Sequence, residues 1–251
     1  MKVLISLLIS SIAGFATILG GLLIYLKIKK ESVSKFITFC LSFSLAIMIG
    51  VSITDLIPSA FFALIYNYNI IKGLIIIIVI FLTGYFLITF LNKLMDKEKE
   101  KGSSLYKLGI LSMIILIIHN FPEGIATFLS SYQNINLGLK LSLAIMLHNI
   151  PEGISIAIPI YYATNNKKKA LNCTILSAIA EPLGAILAFL ILKNYISNNL
   201  INIILLFVAS LMITLSIEGI LPKIKEYNES KYIILGILSG IIVLTINLLL
   251  W

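Results

Sequence analysis

Long apolar segments alternate with short polar ones along almost the whole chain. Eight of these segments are long enough to cross a bilayer, since a transmembrane helix needs about 20 mainly apolar residues. They cover residues 3–26, 36–66, 70–91, 105–131, 138–162, 170–192, 200–221 and 232–250. The pattern predicts an all-α integral membrane protein with eight transmembrane helices, of which the second and the fourth are long enough to tilt or kink.

The composition favours the same fold class. The chain has 251 residues, of which 59% are hydrophobic and 12% are charged, and its mean hydropathy is +1.07. A soluble domain of this length needs a far more polar surface. No polar stretch is long enough for a separate soluble domain, so we expect residues 1–251 to form a single transmembrane domain. The first apolar segment has no convincing cleavage site and is predicted to be a retained helix.

The 19 basic residues are all lysines, and they are divided unequally between the two ends of the predicted helices. Fifteen follow the first, third, fifth and seventh segments: Lys27, Lys29, Lys30, Lys35, Lys93, Lys97, Lys99, Lys101, Lys107, Lys167, Lys168, Lys169, Lys223, Lys225 and Lys231. The other side carries Lys2, Lys72, Lys140 and Lys193. Because positive loops stay in the cytoplasm during insertion, both termini are predicted to lie outside. Topology and contact with anionic membrane lipid therefore explain the net charge of +8, and nucleic acid is not expected as a partner.

Acidic residues occur inside the apolar segments, where charge is costly. Five of the 11 acids lie there: Asp55, Glu123, Glu152, Glu181 and Glu218. A charged side chain within a bilayer costs at least ~2.5 kcal/mol and is usually paired or functional. No lysine lies deep in a segment, so we infer that protons or bound cations supply the counter-charge.

The sequence HNFPEG, which starts at His119, recurs as HNIPEG from His148 in the next apolar segment. On a helix, positions i and i+4 share a face and positions i and i+3 nearly do, so the polar side chains of each copy point together. Pro122 and Pro151 each remove an amide donor and free the carbonyl four residues earlier. Consecutive helices cross the membrane in opposite directions, so the two copies are predicted to meet as an inverted pair near the midplane.

The residue types of the repeat favour particular metals. Imidazole together with carboxylate suits borderline or hard divalent ions such as Zn²⁺, Fe²⁺ or Mn²⁺, whereas the lack of sulfur ligands at the motif argues against Cu⁺. Glu181, in the sequence AEPLGA of the following segment, directly precedes Pro182 and is the third candidate carboxylate. Three carboxylates and two divalent ions would form a nearly neutral centre.

With these motifs the chain resembles the ZIP family of divalent-metal transporters, in particular its bacterial members. The resemblance rests on HNFPEG, HNIPEG and the Glu181–Pro182 pair, and it extends to the eight-helix plan. It implies transport of zinc, or of iron, manganese or cadmium, across the plasma membrane into the cytoplasm by alternating access. It also implies an inverted repeat that relates helices one to three to helices six to eight, with helices four and five symmetric.

The resemblance further implies a binuclear metal centre with two ions per protomer. By motif position, one ion would be held by His119, Glu123, His148 and Glu152. The other would be held by Asn120, Glu123, Asn149, Glu152 and Glu181, so that the first two glutamates bridge the ions. A homodimer is compatible with the sequence.

Two other functions use acids within a membrane. An intramembrane metallo-hydrolase needs an activated water and a general base, and its usual HExxH signal is absent. A cation channel needs carboxylates that are repeated around a pore.

The two remaining acids lie in related sequences, SITDLIP at residues 52–58 and SIEGILP at residues 216–222. We interpret Asp55 as an acid at the outer mouth of the metal pathway and Glu218 as one at the inner mouth. The alternative is that each caps a helix that is kinked at the nearby proline.

Overall fold

The computed structural model describes residues 1–97, 104–190 and 198–249, in which the regular elements are all helices. The α-helices are α1 (Lys2–Gly21), α2 (Val33–Val51), α3 (Ile57–Tyr68), α4 (Ile70–Lys97), α5 (Ser104–Gln133), α6 (Ile135–Thr164), α7 (Lys167–Leu190), α8 (Asn198–Thr214), α9 (Leu221–Tyr227) and α10 (Ser230–Leu249). Short 3₁₀ turns, Leu22–Tyr25 and Lys30–Ser32, join α1 to α2. The predicted helical fold class is confirmed.

Within the described residues, seven helical segments are long and apolar enough to cross a membrane. They are Lys2–Tyr25, Lys30–Tyr68, Ile70–Leu94, Ser104–Gln133, Gly138–Thr164, Lys167–Leu190 and Asn202–Tyr227. The predicted eighth segment contains a shorter apolar helix, Ser230–Ile246. Lys99, Lys101 and Lys193, which contribute to the predicted sidedness, lie outside the described residues.

Two of the long segments are interrupted by π-helical turns. One turn, Ser52–Leu56, follows α2, and the other, Leu215–Ile220, follows α8. Each turn is followed by a proline in the first positions of the next helix, and a proline cannot donate its amide to the preceding turn. The related sequences SITDLIP and SIEGILP therefore form the same kind of irregular turn, and each turn carries one of the two remaining acids.

The helices pack in two groups. The first group comprises α1, α5, α6 and α7, which pack extensively against one another and carry the doubled motif. In the second group, α2 packs along α10, while α3, α4 and α8 contact each other. Contacts between α2 and α6 connect the two groups.

Glycines bring α5 and α7 into backbone contact. A Cβ atom at Gly124 would lie 1.9 Å from Glu181 O, and one at Gly184 would lie 2.0 Å from Phe121 O. Only residues without a side chain fit at such a crossing. The close approach places Glu181 beside the motif of α5.

The crossing of α1 and α6 is built in the same way. A Cβ atom at Gly153 would lie 1.8 Å from Thr17 O, and one at Gly20 would lie 1.9 Å from Ile150 O. The glycine that ends each copy of the motif thus packs against the backbone of a different neighbouring helix. Both motifs are held in the interior of the first helix group by these crossings.

Candidate metal centre

All seven side chains that the sequence predicts as ligands are buried. None of them is more than 4% exposed: His119, Asn120, Glu123, His148, Asn149, Glu152 and Glu181. The first three lie on α5, the next three on α6 and the last on α7. A polar cluster of this kind is tolerated in a membrane protein where it has a function.

The two imidazoles and two of the carboxylates converge. His119 Nε2 lies 3.2 Å from Glu123 Oε1 and 3.1 Å from Glu152 Oε1. His148 Nε2 lies 3.1 Å from Glu123 Oε1. Ligand atoms of His119, His148 and Glu152 all lie within 4.8 Å of one another, so one ion can be reached by both rings and a carboxylate.

Several oxygens of the cluster make no hydrogen bond within the described part of the chain. These atoms are Glu123 Oε2, Glu152 Oε1, Glu181 Oε1 and Asn149 Oδ1. Buried polar atoms are nearly always satisfied, because each unsatisfied one costs about 1–3 kcal/mol. Carboxylate and amide oxygens that point into one cluster fit a divalent cation, which would satisfy them together.

The asparagines link the cluster to its neighbouring helices. Asn149 Nδ2 donates to Ala13 O on α1 and to Glu181 Oε2 on α7, both at 2.9 Å. The Asn120 amide lies 3.3 Å from Ser177 O on α7. With its amide oxygen and nitrogen exchanged, Asn120 donates to Glu152 Oε2 at 3.2 Å. The structure therefore brings Glu181 to the doubled motif, where the sequence predicts a third carboxylate.

One contact of the motif was not anticipated from the sequence. The buried Ser44 on α2 donates its hydroxyl to Pro151 O at 2.7 Å, and Pro151 immediately precedes Glu152. This hydrogen bond joins the second helix group to the helix that carries a ligand. Serine is common in apolar helices, so Ser44 by itself gives no signal of this role.

Asp55 and Glu218 do not belong to the cluster of His119, His148 and Glu152 that is found in the described residues. Both lie in the π-helical turns and are partly buried. Glu218 borders a cavity of about 130 Å³, whose polar lining also includes Asn92, Ser104, Lys107 and Lys223. The pathway role of the two acids stays a prediction.

Comparisons with known proteins agree with the chemistry of the cluster. A family model described as ZIP Zinc transporter matches residues 92–247. The chain is 34% identical to the zinc transporter ZupT of Chlorobium chlorochromatii, in an alignment that covers 100% of this chain and 98% of that protein. It is 35% identical to the ZupT of Oceanobacillus iheyensis over 99% of this chain and 98% of that protein. It is 32% identical to the ZupT of Clostridium perfringens over 100% and 97% of the two chains.

Proposed function

This chain belongs to the ZIP family and transports divalent metal ions, zinc among them, and from that premise we propose that the cluster between α5 and α6 is its binuclear transport site. The observation that carries the proposal is the convergence of His119, His148 and Glu152 within 4.8 Å in the buried interior. Imidazole nitrogen and carboxylate oxygen are ordinary zinc ligands. Fe²⁺, Mn²⁺ and Cd²⁺ are further candidate substrates.

Two ions per protomer would share two carboxylates. The first ion is assigned to His119, Glu123, His148 and Glu152, and the second to Asn120, Asn149 and Glu181 together with the same two glutamates. The oxygens of Glu123 and Glu152 that lack hydrogen-bond partners within the described residues support this bridging role. With three carboxylates for two divalent ions, the centre is nearly neutral and tolerable within a membrane.

Alternating access is the transport mode that the geometry supports best. All candidate ligands are buried, so an ion in the cluster would be enclosed. A channel instead needs sites that hold the ion weakly enough for rapid flux. The helices that carry the ligands, α5, α6 and α7, pack with α1 as one group against the second group. We propose that the two groups shift relative to one another during transport. We include in this proposal the inverted repeat, the eight-helix count and a single domain over residues 1–251.

The family assignment makes the chain a transporter and not an enzyme, which excludes the intramembrane hydrolase. A cation channel is the alternative that needs a direct test. Purified protein in liposomes is expected to take up Zn²⁺ slowly and saturably, with competition by Fe²⁺, Mn²⁺ or Cd²⁺. Uptake that rises linearly with zinc concentration at a high rate would support a channel, and the lack of any uptake would refute transport by this chain alone.

The proposed orientation places the lysine-rich ends of the helices in the cytoplasm of the cell and the protein in the plasma membrane. At this end, Lys167 Nζ lies 4.8 Å from the centre of the Tyr25 ring, and Lys169 Nζ lies 4.4 Å from that of Tyr106. Tyrosine and lysine are typical of the membrane–water interface. We propose that α4 faces membrane lipid, because its exposed side chains include Ile71, Ile78 and Phe86. A homodimer that covers part of this apolar surface is compatible with the structure.

Cysteine labelling tests the orientation. We replace Cys40 and Cys173 by alanine and introduce one cysteine at the exposed Lys168 or at the exposed Asn136. In intact cells, an impermeant thiol reagent is expected to label the Asn136→Cys variant and to spare the Lys168→Cys variant. Permeabilised cells serve as the control, since both variants are then labelled. The reverse pattern in intact cells would overturn the topology.

Neutralisation of the two acids outside the cluster tests the proposed pathway. Asp55→Asn is expected to raise the half-saturating zinc concentration, because an acid at the outer mouth concentrates cations there. Glu218→Gln is expected chiefly to lower the maximal rate, because the loss of the negative charge at the inner mouth slows or misdirects release of the ion. Uptake kinetics in liposomes measure both effects, and zinc stoichiometry is expected to remain that of the parent. Parent-like kinetics in both variants would assign these acids a structural role only.

A further inference from the structure

The crossings of α1 with α6 and of α7 with α5 repeat the same contacts. Asn149 on α6 donates to Ala13 O, and the equivalent asparagine of the other motif, Asn120 on α5, lies against Ser177 O. The glycines of the motifs make the second pair of equivalent contacts, Gly153 with Thr17 O and Gly124 with Glu181 O. The third pair joins Gly20 to Ile150 O and Gly184 to Phe121 O. The spacing is identical in both halves, so Ala13, Thr17 and Gly20 of α1 correspond to Ser177, Glu181 and Gly184 of α7.

This correspondence places Thr17 where the other half of the site carries a glutamate. The sequences around the two residues are ATILG at 16–20 and AEPLG at 180–184. Their carbonyls meet a motif glycine in the same way, with Cβ distances of 1.8 Å for Thr17 and 1.9 Å for Glu181. Thr17 is therefore the counterpart of the third carboxylate of the centre.

The symmetry also determines which ion Thr17 faces. The operation that exchanges α5 with α6 exchanges the two asparagines and the two bridging glutamates of the motifs. An ion that is bound by both asparagines and both glutamates must therefore lie on the symmetry axis. Glu181 approaches that ion from α7, so Thr17 approaches it from α1 on the opposite side.

The environment of the Thr17 side chain points to a ligand. Thr17 is 0% exposed, and its hydroxyl has no hydrogen-bond partner among the described residues. Other buried threonines of these helices donate to the carbonyl four residues earlier, as Thr127 does to Glu123 O at 2.8 Å and Thr174 to Ala170 O at 3.0 Å. Thr38 and several buried serines share this lack of a partner among the described residues, so the missing bond supports a ligand role only together with the position of Thr17 as the counterpart of Glu181.

The neighbours of Thr17 and Glu181 explain why the centre is asymmetric. A Cβ atom at Gly14 would lie 2.8 Å from the Glu181 Cβ and 3.1 Å from its Oε2, so the glutamate needs a glycine opposite. By the same correspondence, the equivalent of Gly14 on α7 is Ala178, which carries a methyl group where α1 carries none. A residue opposite a methyl group is expected to be shorter than one opposite a glycine, in agreement with threonine on α1 and glutamate on α7.

We propose that the Thr17 hydroxyl is a further oxygen ligand of the second ion, on the side opposite Glu181. This proposal rests on the proposed binuclear centre. The second ion is then surrounded by six residues that each offer an oxygen: Thr17, Asn120, Glu123, Asn149, Glu152 and Glu181. Six oxygen donors suit hard and borderline divalent cations. A neutral hydroxyl in place of a fourth carboxylate weakens the hold on this ion, which favours its release during transport.

The proposal is tested by zinc binding to the purified full-length protein, with stoichiometry and both dissociation constants measured by titration calorimetry. Thr17→Val keeps the shape of the side chain and removes the hydroxyl. This variant is expected to bind the second ion about tenfold or more weakly than the parent, because the site loses an oxygen. Thr17→Ser keeps the hydroxyl and is expected to stay within about twofold of the parent. Thr38→Val is the matched control, because Thr38 on α2 is equally buried and equally without a partner among the described residues.

The affinity of the first ion reports whether each variant is folded. If Thr17 served only in packing, the order would be reversed, with Thr17→Ser defective and Thr17→Val normal. Parent-like binding of two ions by Thr17→Val would overturn the role of Thr17 and leave the binuclear centre intact. Binding of fewer than two ions by the parent would instead refute the proposed centre itself.

Discussion

Replacement of Glu123 or Glu152 by alanine is expected to abolish zinc transport. Glu123 Oε1 lies 3.2 and 3.1 Å from the two histidines, and Glu152 Oε1 lies 3.1 Å from His119. In the proposed centre, each of these carboxylates bridges the two ions. Its removal leaves metal charge buried without a counter-charge, which costs about 3–5 kcal/mol in a protein interior. A cost of that size lowers the population of loaded transporter more than about a hundredfold.

Initial rates of zinc uptake into liposomes, at equal amounts of folded protein, measure this effect. Glu123→Gln and Glu152→Gln keep the side-chain shape and lose the charge, and they are expected to be nearly as inactive. Glu226→Ala is the matched control, since this carboxylate is 63% exposed and pairs with Lys223 away from the cluster. Near-normal uptake by either alanine variant would refute the assigned site.

The second large effect is expected from Gly153→Ala, which should prevent stable assembly of the site. The new Cβ would lie 1.8 Å from Thr17 O. The position of a Cβ atom is fixed by its own backbone and Thr17 O is a backbone atom, so no side-chain rotation relieves the overlap. The helices α1 and α6 would have to separate, which also breaks the hydrogen bond from Asn149 to Ala13 O. The expected loss in the free energy of unfolding is about 3 kcal/mol or more, at the upper end of overpacking effects.

The loss of stability is measured by thermal unfolding in detergent, with size-exclusion chromatography and fluorescence detection as the readout. Gly219→Ala is the control, because among the described residues its Cβ would meet only Leu108 Cδ1 and Leu215 Cδ1, each at 3.1 Å. The ends of leucine side chains can move, so this variant should remain close to the parent. A Gly153→Ala protein as stable as the parent would show that α1 and α6 do not cross at this glycine.

The chain's local patterns predict the helices and most of the candidate ligands. Apolar runs of about 20 residues mark the spans, because a bilayer fixes their length and composition. The doubled motif predicts a meeting of α5 and α6, since helical spacing places the histidine and glutamate of each copy on one face. Glu181 was predicted because it is an acid beside a proline in the apolar segment that follows the doubled motif, and its Oε2 accepts a hydrogen bond from Asn149 at 2.9 Å.

Contacts between distant segments could not be predicted in this way. The partner of Asn149 on α1 is the carbonyl of Ala13, and a backbone carbonyl leaves no mark in a sequence. The role of Ser44 depends on which face of α2 meets Pro151, which only packing decides. The π-helical turns were foreseen only as kinks near Pro58 and Pro222, because a proline signals a break in the hydrogen bonding without specifying its form.

The equivalence of the positions of Thr17 and Glu181 also could not be predicted from the sequence. ATILG and AEPLG share three of five residues, which is too little to recognise a repeat in apolar helices. The equivalent contacts of Gly153 and Gly124 with the two carbonyls give the likeness a structural meaning. Sequence similarity becomes informative here only when each residue's partner on the neighbouring helix is known.

The presence of two metal ions between α5, α6 and α7 is the central claim, and anomalous diffraction from crystals grown with Zn²⁺ tests it most directly. Data collected on both sides of the zinc absorption edge locate the ions independently of any assumed ligands. We expect two peaks, one between His119 and His148 and the other against Glu181 and the two motif asparagines, with Glu123 and Glu152 contacting both. A single peak, or peaks that lie away from these residues, would contradict the binuclear centre.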